Sequence, residues 1–449
     1  MNLKNIKLKT LLVFPPFINK IDKKIRLASA PLGIAILSGY LKKIGYKHLE
    51  LIDLQNNGKA GTRDNIELVQ KNILLKKQNI VGFSVSYNYQ MPEAIKIARE
   101  IKKINKEIFL FAGGSGLATN INRLLKNDLV SLNLFDAFIL GDGEEPLARL
   151  INNLNYKKSL KDIPNLMLRD NKTGEFKKNK RFFKASKRHL HTKPNFKDLD
   201  VSSIIPIRAS LGCYWGKCTF CYNSGSKNRY ELANVEKLVS LIKEIKKENR
   251  QKKFFFYDDS LPPFYLKKLA KQLIKEKVNI NWGARGGCVD DSFEEKRLPE
   301  LLKKSGCYSL SFGAESFSPR ILKLMRKMQS VEKIFKITRP LKEIGIKIVL
   351  YTMFGFPTEK IEDINMTLAA FKENPDAYDL AYVNYFNLDG DSYISKHPGK
   401  FKIKITDPTD PKFPKIETSA VSAKKILEMI KKYKLEEKAI IDKSMYRPA

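Results

Sequence analysis

Short runs that are apolar at nearly every position alternate along the chain with stretches in which apolar residues recur every three or four positions. Over the first part the continuous runs are Thr10–Phe14, Leu49–Leu54, Ile80–Val85, Ile108–Ala112 and Ala137–Leu140. A strand buried on both faces has no polar side, so these runs predict a parallel sheet. Helical periodicity at Leu32–Ile44, Asn65–Lys77, Pro92–Lys103 and Asn120–Leu125 places helices between the strands and over both faces. Residues 1–153 are therefore expected to form a doubly wound α/β domain. Residues 154–203 read as a linker with a hairpin, its turn at Asp170–Gly174. The alternation then resumes, with strands at Ile204–Ser210, Lys253–Tyr257, Asn279–Ala284, Tyr308–Phe312, Lys347–Met353 and Ala381–Phe386. Helical patterns at Val235–Lys247, Leu266–Lys275, Phe293–Lys304, Val331–Ile344 and Ile361–Phe371 separate them. Six βα units predict a partial barrel over 204–388, and residues 389–449 an extension without a core of its own.

Both architectures place ligands at the carboxyl ends of their strands, and polar or turn residues collect there. In the first domain they are Pro15-Pro16, Asp53–Gly58, Ser84–Ser86, Gly113–Gly116 and Gly141–Gly143. Gly114-Ser115-Gly116 follows the fourth strand and lacks a third glycine at the proper spacing, which argues against a nicotinamide site. In the barrel the Cys213–Cys221 loop follows the first strand, Asp258-Asp259 the second, Arg285 the third, Glu315 the fourth and Gly355-Phe356-Pro357 the fifth.

Composition narrows the alternatives. At 43% hydrophobic and 10% aromatic the chain is globular rather than disordered. Its 83 Lys+Arg against 48 Asp+Glu leave +35, but the excess is spread over the polar faces of helices. Only Lys177–Arg188, with Phe182 and Phe183 inside it, has the basic-aromatic character of a nucleic-acid patch, so nucleic acid is disfavoured as a partner. No apolar run reaches the ~18 residues of a membrane span, and a cytoplasmic location is expected. The first of the five cysteines is Cys213, an odd and late set that suggests metal rather than disulfides.

Three of the five form Cys213-x-x-x-x-Cys218-x-x-Cys221. Closely spaced thiolates suit an iron–sulfur cluster, and three of them leave one iron open to a small molecule. Structural zinc is the alternative, with a fourth ligand from Cys288, Cys307 or a histidine.

The loop resembles the signature of the radical S-adenosylmethionine (SAM) superfamily, C-x-x-x-C-x-Φ-C, with Phe220 at the aromatic position and one extra residue between the first two cysteines. The resemblance implies that Cys213, Cys218 and Cys221 hold a 4Fe-4S cluster, whose open iron binds SAM for cleavage to a 5′-deoxyadenosyl radical. It further implies a TIM-type partial barrel, with Asp258 and Asp259 at the SAM amine, Arg285 at its carboxylate, Glu315 at the ribose and Gly355-Phe356-Pro357 at the adenine. No cysteine precedes Cys213 and none follows Cys307, so one cluster is expected, with Cys288 and Cys307 as core thiols.

A doubly wound domain ahead of such a barrel resembles the cobalamin-dependent radical SAM enzymes. Leu12-Val13-Phe14-Pro15-Pro16, Ala30-Pro31-Leu32-Gly33, Ser38–Tyr46 and Gly141-Asp142-Gly143-Glu144-Glu145-Pro146 carry that likeness. The resemblance implies a flavodoxin-like, cobalamin-binding domain in which Asp53, Gln55, Gly58, Ser84, Gly113, Gly114, Gly143 and Glu144 face the cofactor. Gln55 stands where D-x-H-x-x-G proteins have their histidine, so cobalamin without an imidazole beneath the cobalt is expected. The implied activity is methyl transfer from methylcobalamin to an unactivated carbon of a small-molecule, peptide or lipid substrate, with an electron donor such as flavodoxin or ferredoxin. Two other readings stay open: a radical SAM enzyme without cobalamin that rearranges a substrate or modifies a peptide, and a nucleic-acid-binding protein with a structural metal.

Overall fold

A computed structural model of the chain describes residues 1–16, 29–56, 62–224, 230–251, 253–287, 293, 297–327, 329–408 and 414–441. It divides into two compact units, Met1–Pro206 with Pro408–Pro414, and Ile207–Asp407 with the segment from Lys415.

The first unit runs β1 (Thr10–Phe14), α1 (Leu32–Lys43), β2 (Leu49–Asp53), α2 (Thr62–Lys76), β3 (Ile80–Ser84), α3 (Met91–Ile104) and β4 (Phe109–Gly113). Three short helices, α4 (Ser115–Ala118), α5 (Ile121–Asn127) and α6 (Leu129–Leu132), lead to β5 (Ala137–Ile139) and α7 (Glu144–Asn155), followed by β6 (Leu166–Arg169) and β7 (Phe176–Lys178). The sheet order is β2-β1-β3-β4-β5-β6-β7, parallel as far as β5 and antiparallel beyond it. Side chains alternate across a strand, and Leu11 and Val13 enter one apolar cluster while Leu12 and Phe14 enter the other. This two-sided burial is why β1 carries no polar face.

β8 (Ile205–Ile207) crosses the boundary into the second unit, which continues with β9 (Ser210–Leu211) and β10 (Glu231–Leu232), then α8 (Val235–Glu248), β11 (Lys253–Phe256), α9 (Pro263–Lys275), β12 (Asn281–Gly287), α10 (Leu298–Lys304) and β13 (Cys307–Glu315). It continues through α11 (Pro319–Met325), α12 (Val331–Glu343), β14 (Lys347–Phe354), α13 (Ile361–Glu373), β15 (Leu380–Tyr385) and α14 (Tyr393–Lys396). The hairpin β16 (Lys404–Asp407) and β17 (Lys415–Glu417), α15 (Ala423–Lys432) and β18 (Ala439–Ile441) complete it. The main sheet is ordered β18-β15-β14-β13-β12-β11-β8, and its strands pair in parallel from β11 to β18. In α8 the buried positions Val235, Leu238, Val239, Ile242 and Ile245 follow the three-and-four spacing of one helical face.

Four features depart from the sequence pattern. The hairpin expected in a linker extends the first sheet, because Leu166–Leu168 pair with Ile139–Ala137 and bury Leu166 and Met167. The strand expected over Ile204–Ser210 breaks into β8 and β9, since the amides of Ala209 and Ser210 are drawn to the Asp258 carboxylate. The C-terminal segment, expected as an extension without a core of its own, adds β18 as a seventh strand beside β15. Phe293 lies outside α10, which starts at Leu298 behind the first-turn Pro299.

Candidate cluster and cofactor sites

The cysteine loop leaves β9 through Gly212 and turns again at Gly216, both with positive φ (73° and 59°), where a Cβ would be strained. Cys213 and Cys221 are half-buried, Cys218 is buried, and none is in a disulfide. The backbone holds the loop compact: Cys221 N–H donates to the Cys218 carbonyl (3.1 Å), and Ser224 donates to the Cys221 carbonyl through both N–H (3.0 Å) and hydroxyl (2.7 Å). The loop is also tied to the end of α11. Thr219 donates from N–H to the Met325 carbonyl (3.0 Å) and from its hydroxyl to the Leu324 carbonyl (3.0 Å), and the Trp215 indole donates to the Arg326 carbonyl (2.9 Å). Phe220 packs with Ile321, Met325, Phe356, Ile394 and Phe401 in one apolar cluster, so the aromatic of the signature anchors the loop.

Burial pushes the Cys221 thiol up to about 12, and Asp259 and Cys213 add to the rise. A bare thiolate is costly there, and a cationic cluster is the kind of group that reverses the balance. Cys307 is fully buried, its thiol pushed up by burial. Cys288 lies outside the described residues.

Asp258 is fully enclosed and receives the Ala209 N–H (2.9 Å), the Ser210 N–H and the Ser210 hydroxyl (2.7 Å). Burial raises its carboxyl to about 6, against the lowering of these bonds. The sequence points Asp258 at SAM; the structure spends its oxygens on the backbone that launches the cysteine loop. Asp259 instead receives the Tyr222 hydroxyl (3.1 Å) and Asn223 Nδ2 (3.1 Å), two residues sequence reasoning passed over although they directly follow Cys221.

Arg285 lays its guanidinium over the Tyr257 ring at 5.8 Å, and its buried Nε has no partner among the described residues. Ser260 Oγ, in the turn after β11, and Thr352 Oγ1, near the end of β14, are buried and unpartnered in the same way. Unsatisfied buried polar atoms are rare in folded chains, and their gathering at strand ends fits a polar ligand such as SAM. Glu315 sits at φ 61° and pairs with Lys327 Nζ at 3.1 Å, both largely enclosed. A Cβ on Gly313 would lie 2.4 Å from Glu315 Oε1 and 2.7 Å from Lys327 Nζ, so the glycine makes room for the pair. Nothing in the spacing of Lys327 signalled this role. After β14, Gly355 takes φ 73° and its N–H donates to Glu359 Oε2 (2.6 Å). Burial pushes the Glu359 carboxyl up to about 8.

In the first unit Asp53 is enclosed and caps its own turn, accepting the N–H of Gln55 (3.0 Å) and of Asn56 (3.1 Å) and Asn56 Nδ2 (2.9 Å). Gln55 is fully buried, and Gly58 lies outside the described residues. A half-buried Ser84 ends β3, and a Cβ on nearby Gly33 would meet nothing nearer than Ser84 Oγ at 3.9 Å, an open patch on the ligand edge of the sheet. Gly114 takes φ 110° with Val85 O only 2.4 Å from a Cβ position, so the fold itself demands it. Gly113 and Gly143 are tight against Ile139 O (3.1 Å) and Leu37 Cδ2 (3.3 Å). Glu144 is buried in the first turn of α7. This edge of glycines and serines suits a large flat ligand.

A family model described as the radical SAM superfamily matches residues 207–371, and one described as the B12 binding domain matches residues 20–151. The chain is similar to an uncharacterized methyltransferase of Pyrococcus horikoshii, 24% identical over 393 residues, 82% of this chain and 78% of that one. It is also similar to hopanoid C-3 methylase of Methylococcus capsulatus, 23% identical over 337 residues, 73% of this chain but 61% of the relative. Among solved structures, the radical SAM methyltransferase TsrM of Kitasatospora setae, with cobalamin and a 4Fe-4S cluster bound, aligns at TM-score 0.72 and 13% identity over 97% of this chain and 93% of that one. The cobalamin-dependent SAM radical enzyme OxsB aligns at 0.66 and 18% identity over 88% of this chain and 56% of that one. At such identities the solved structures show a shared fold. The radical SAM domain implies a 4Fe-4S cluster and SAM, and the B12 binding domain implies cobalamin. With both domains in one chain, in the order its topology had indicated, the protein belongs to the cobalamin-binding radical SAM enzymes.

Proposed function

We propose that the protein is a C-methyltransferase that uses SAM, a 4Fe-4S cluster and cobalamin to methylate an unactivated carbon. The observation that carries this reading is a three-cysteine loop, pinned by Asp258 and α11, beside strand ends that hold unpartnered buried donors. When bound, the cluster with SAM supplies a hydrogen-abstracting carbon radical and cobalamin supplies a methyl group. Cys213, Cys218 and Cys221 would ligate the iron. Arg285, lying over Tyr257 with an Nε that has no partner among the described residues, would take the SAM carboxylate, and Asp259 the ammonium. Glu315, kept in place by Lys327, would accept from ribose hydroxyls. Ser84 and the glycine edge of the first unit would receive cobalamin, with Gln55 giving no imidazole to the metal. In this reading residues 1–153 would bind cobalamin and residues 204–388 would form the radical SAM barrel, with 154–203 as the linker and 389–449 as an extension. The methyltransferase names of relatives support the outcome, and the acceptor carbon is left to experiment.

The test is anaerobic reconstitution with iron, sulfide and hydroxocobalamin, followed by metal analysis and incubation with SAM and a reductant. About four irons and one cobalt per chain, with 5′-deoxyadenosine formed, are expected. Zinc in place of iron, or no 5′-deoxyadenosine under any reducing condition, overturns the reading. Iron with no cobalt keeps radical initiation and removes methyl transfer.

A further inference from the structure

The segment after the first unit's hairpin straps itself across α1. Asn195 donates from N–H to the Ala35 carbonyl (2.9 Å) and from Nδ2 to the Ser38 hydroxyl (2.9 Å), and a Cβ on Gly39 would lie 1.8 Å from the Lys193 carbonyl oxygen. Between this strap, α1 and α7 is a cavity of about 400 Å³. Tyr40 and Lys43 line it from α1, Glu145 and Arg149 from α7, and Arg188, His189 and Thr192 from the strap. It lies outside the residues assigned above to the cluster, SAM or cobalamin.

We propose that this cavity binds a small-molecule phosphate monoester. Its electrostatics are uncompensated. Glu145 is taken up by Arg149, whose Nε (2.9 Å) and Nη2 (2.5 Å) both reach Oε1, whereas Lys43 and Arg188 form no ion pair among the described residues. Its enclosed donors are also unspent. His189, only 5% exposed, accepts the Ser186 N–H at Nδ1 (3.0 Å), which leaves Nε2 as the donor of the ring. That Nε2–H, and the hydroxyl of the 5%-exposed Thr192, meet no acceptor among the described residues. Two such donors together with two cations match a doubly charged tetrahedral group with three terminal oxygens better than a carboxylate with two. The volume exceeds what a phosphate fills. The Tyr40 ring, 6.0 Å from the His189 ring that Phe183 backs at 5.4 Å, offers a flat wall for the organic part. This places a function on the basic-aromatic run that ends at Arg188.

The test uses the full-length reconstituted protein and fluorescent pyridoxine 5′-phosphate, with pyridoxine, inorganic phosphate and a short single-stranded RNA as comparisons. The phosphate ester should bind at least about tenfold more tightly than pyridoxine and be displaced by inorganic phosphate. Arg188→Gln and Thr192→Val should each weaken it by roughly tenfold, with iron and cobalt content unchanged. Equal affinity for pyridoxine, no binding at millimolar probe, or unaltered affinity in both variants overturns the proposal. So does RNA that binds more tightly than the monoester and is lost in Arg188→Gln, which would assign the patch to nucleic acid.

Discussion

Two aspartates adjacent in sequence do different work, and the difference is burial. Asp258 has its oxygens filled by Ala209 and Ser210, whereas Asp259 is held through the hydroxyl of Tyr222 and the amide of Asn223. Asp258→Asn sets an amide N–H against backbone donors, and a buried donor without an acceptor costs about 1–3 kcal/mol. The expected outcome is a misplaced cysteine loop and iron content well below wild type, while Asp259→Asn keeps its iron and binds SAM more weakly; metal analysis and equilibrium dialysis check both. Gly313→Ala makes the ends of the Glu315 and Lys327 side chains shift, since a Cβ would stand 2.4 Å from Glu315 Oε1. SAM affinity is expected to fall by roughly tenfold with iron retained, measured by the same dialysis. Glu359, pushed up to about 8 by burial, holds a proton in the folded state that the unfolded chain releases near its ordinary value of 4.5. Its contribution is therefore complete below about pH 4.5 and is lost as pH rises through about 8. Glu359→Gln should flatten that loss and leave the variant more stable than wild type at pH 9, read from thermal midpoints at pH 6 and 9.

At the scale of elements, side-chain periodicity explains the regular strands and helices, and close backbone approach explains the joints between them. Alternation along β1 sends Leu11 and Val13 to one face and Leu12 and Phe14 to the other, a pattern written in the residues. The strap over α1 depends on one missing Cβ. Gly39→Ala must push the Lys193 carbonyl away, and such overpacking costs about 1–3 kcal/mol. A lowered unfolding midpoint and loss of the phosphate-monoester affinity are expected together from that one methyl group. β18 illustrates the opposite case, a three-residue strand of modest apolar content whose place is set by its partner β15. Truncation after Leu435 should lower stability by roughly 1–3 kcal/mol, detectable in denaturant unfolding.

Over the whole molecule, the +35 charge acts as a diffuse field, with many lysines paired locally, as in Lys102 with Asp136 and Lys103 with Glu100. Weak RNA binding that fades as salt rises and shows no sequence preference is the expected result of a filter-binding series. Among the described residues no helix is long and apolar enough to cross a membrane. By itself the sequence determined the two α/β units and where along the chain nearly all their parallel strands lie, because a strand buried on both faces must be apolar throughout. It also determined the three-cysteine loop, because ligands close in sequence need no fold to bring them together. Only the tertiary structure decided that Asp258 serves the backbone, that Lys327 holds Glu315, that the hairpin and β18 complete the sheets, and that Arg188, His189 and Thr192 meet Lys43 across α1. These pairings join residues distant along the chain through burial and close approach, and neither leaves a period or a spacing to read.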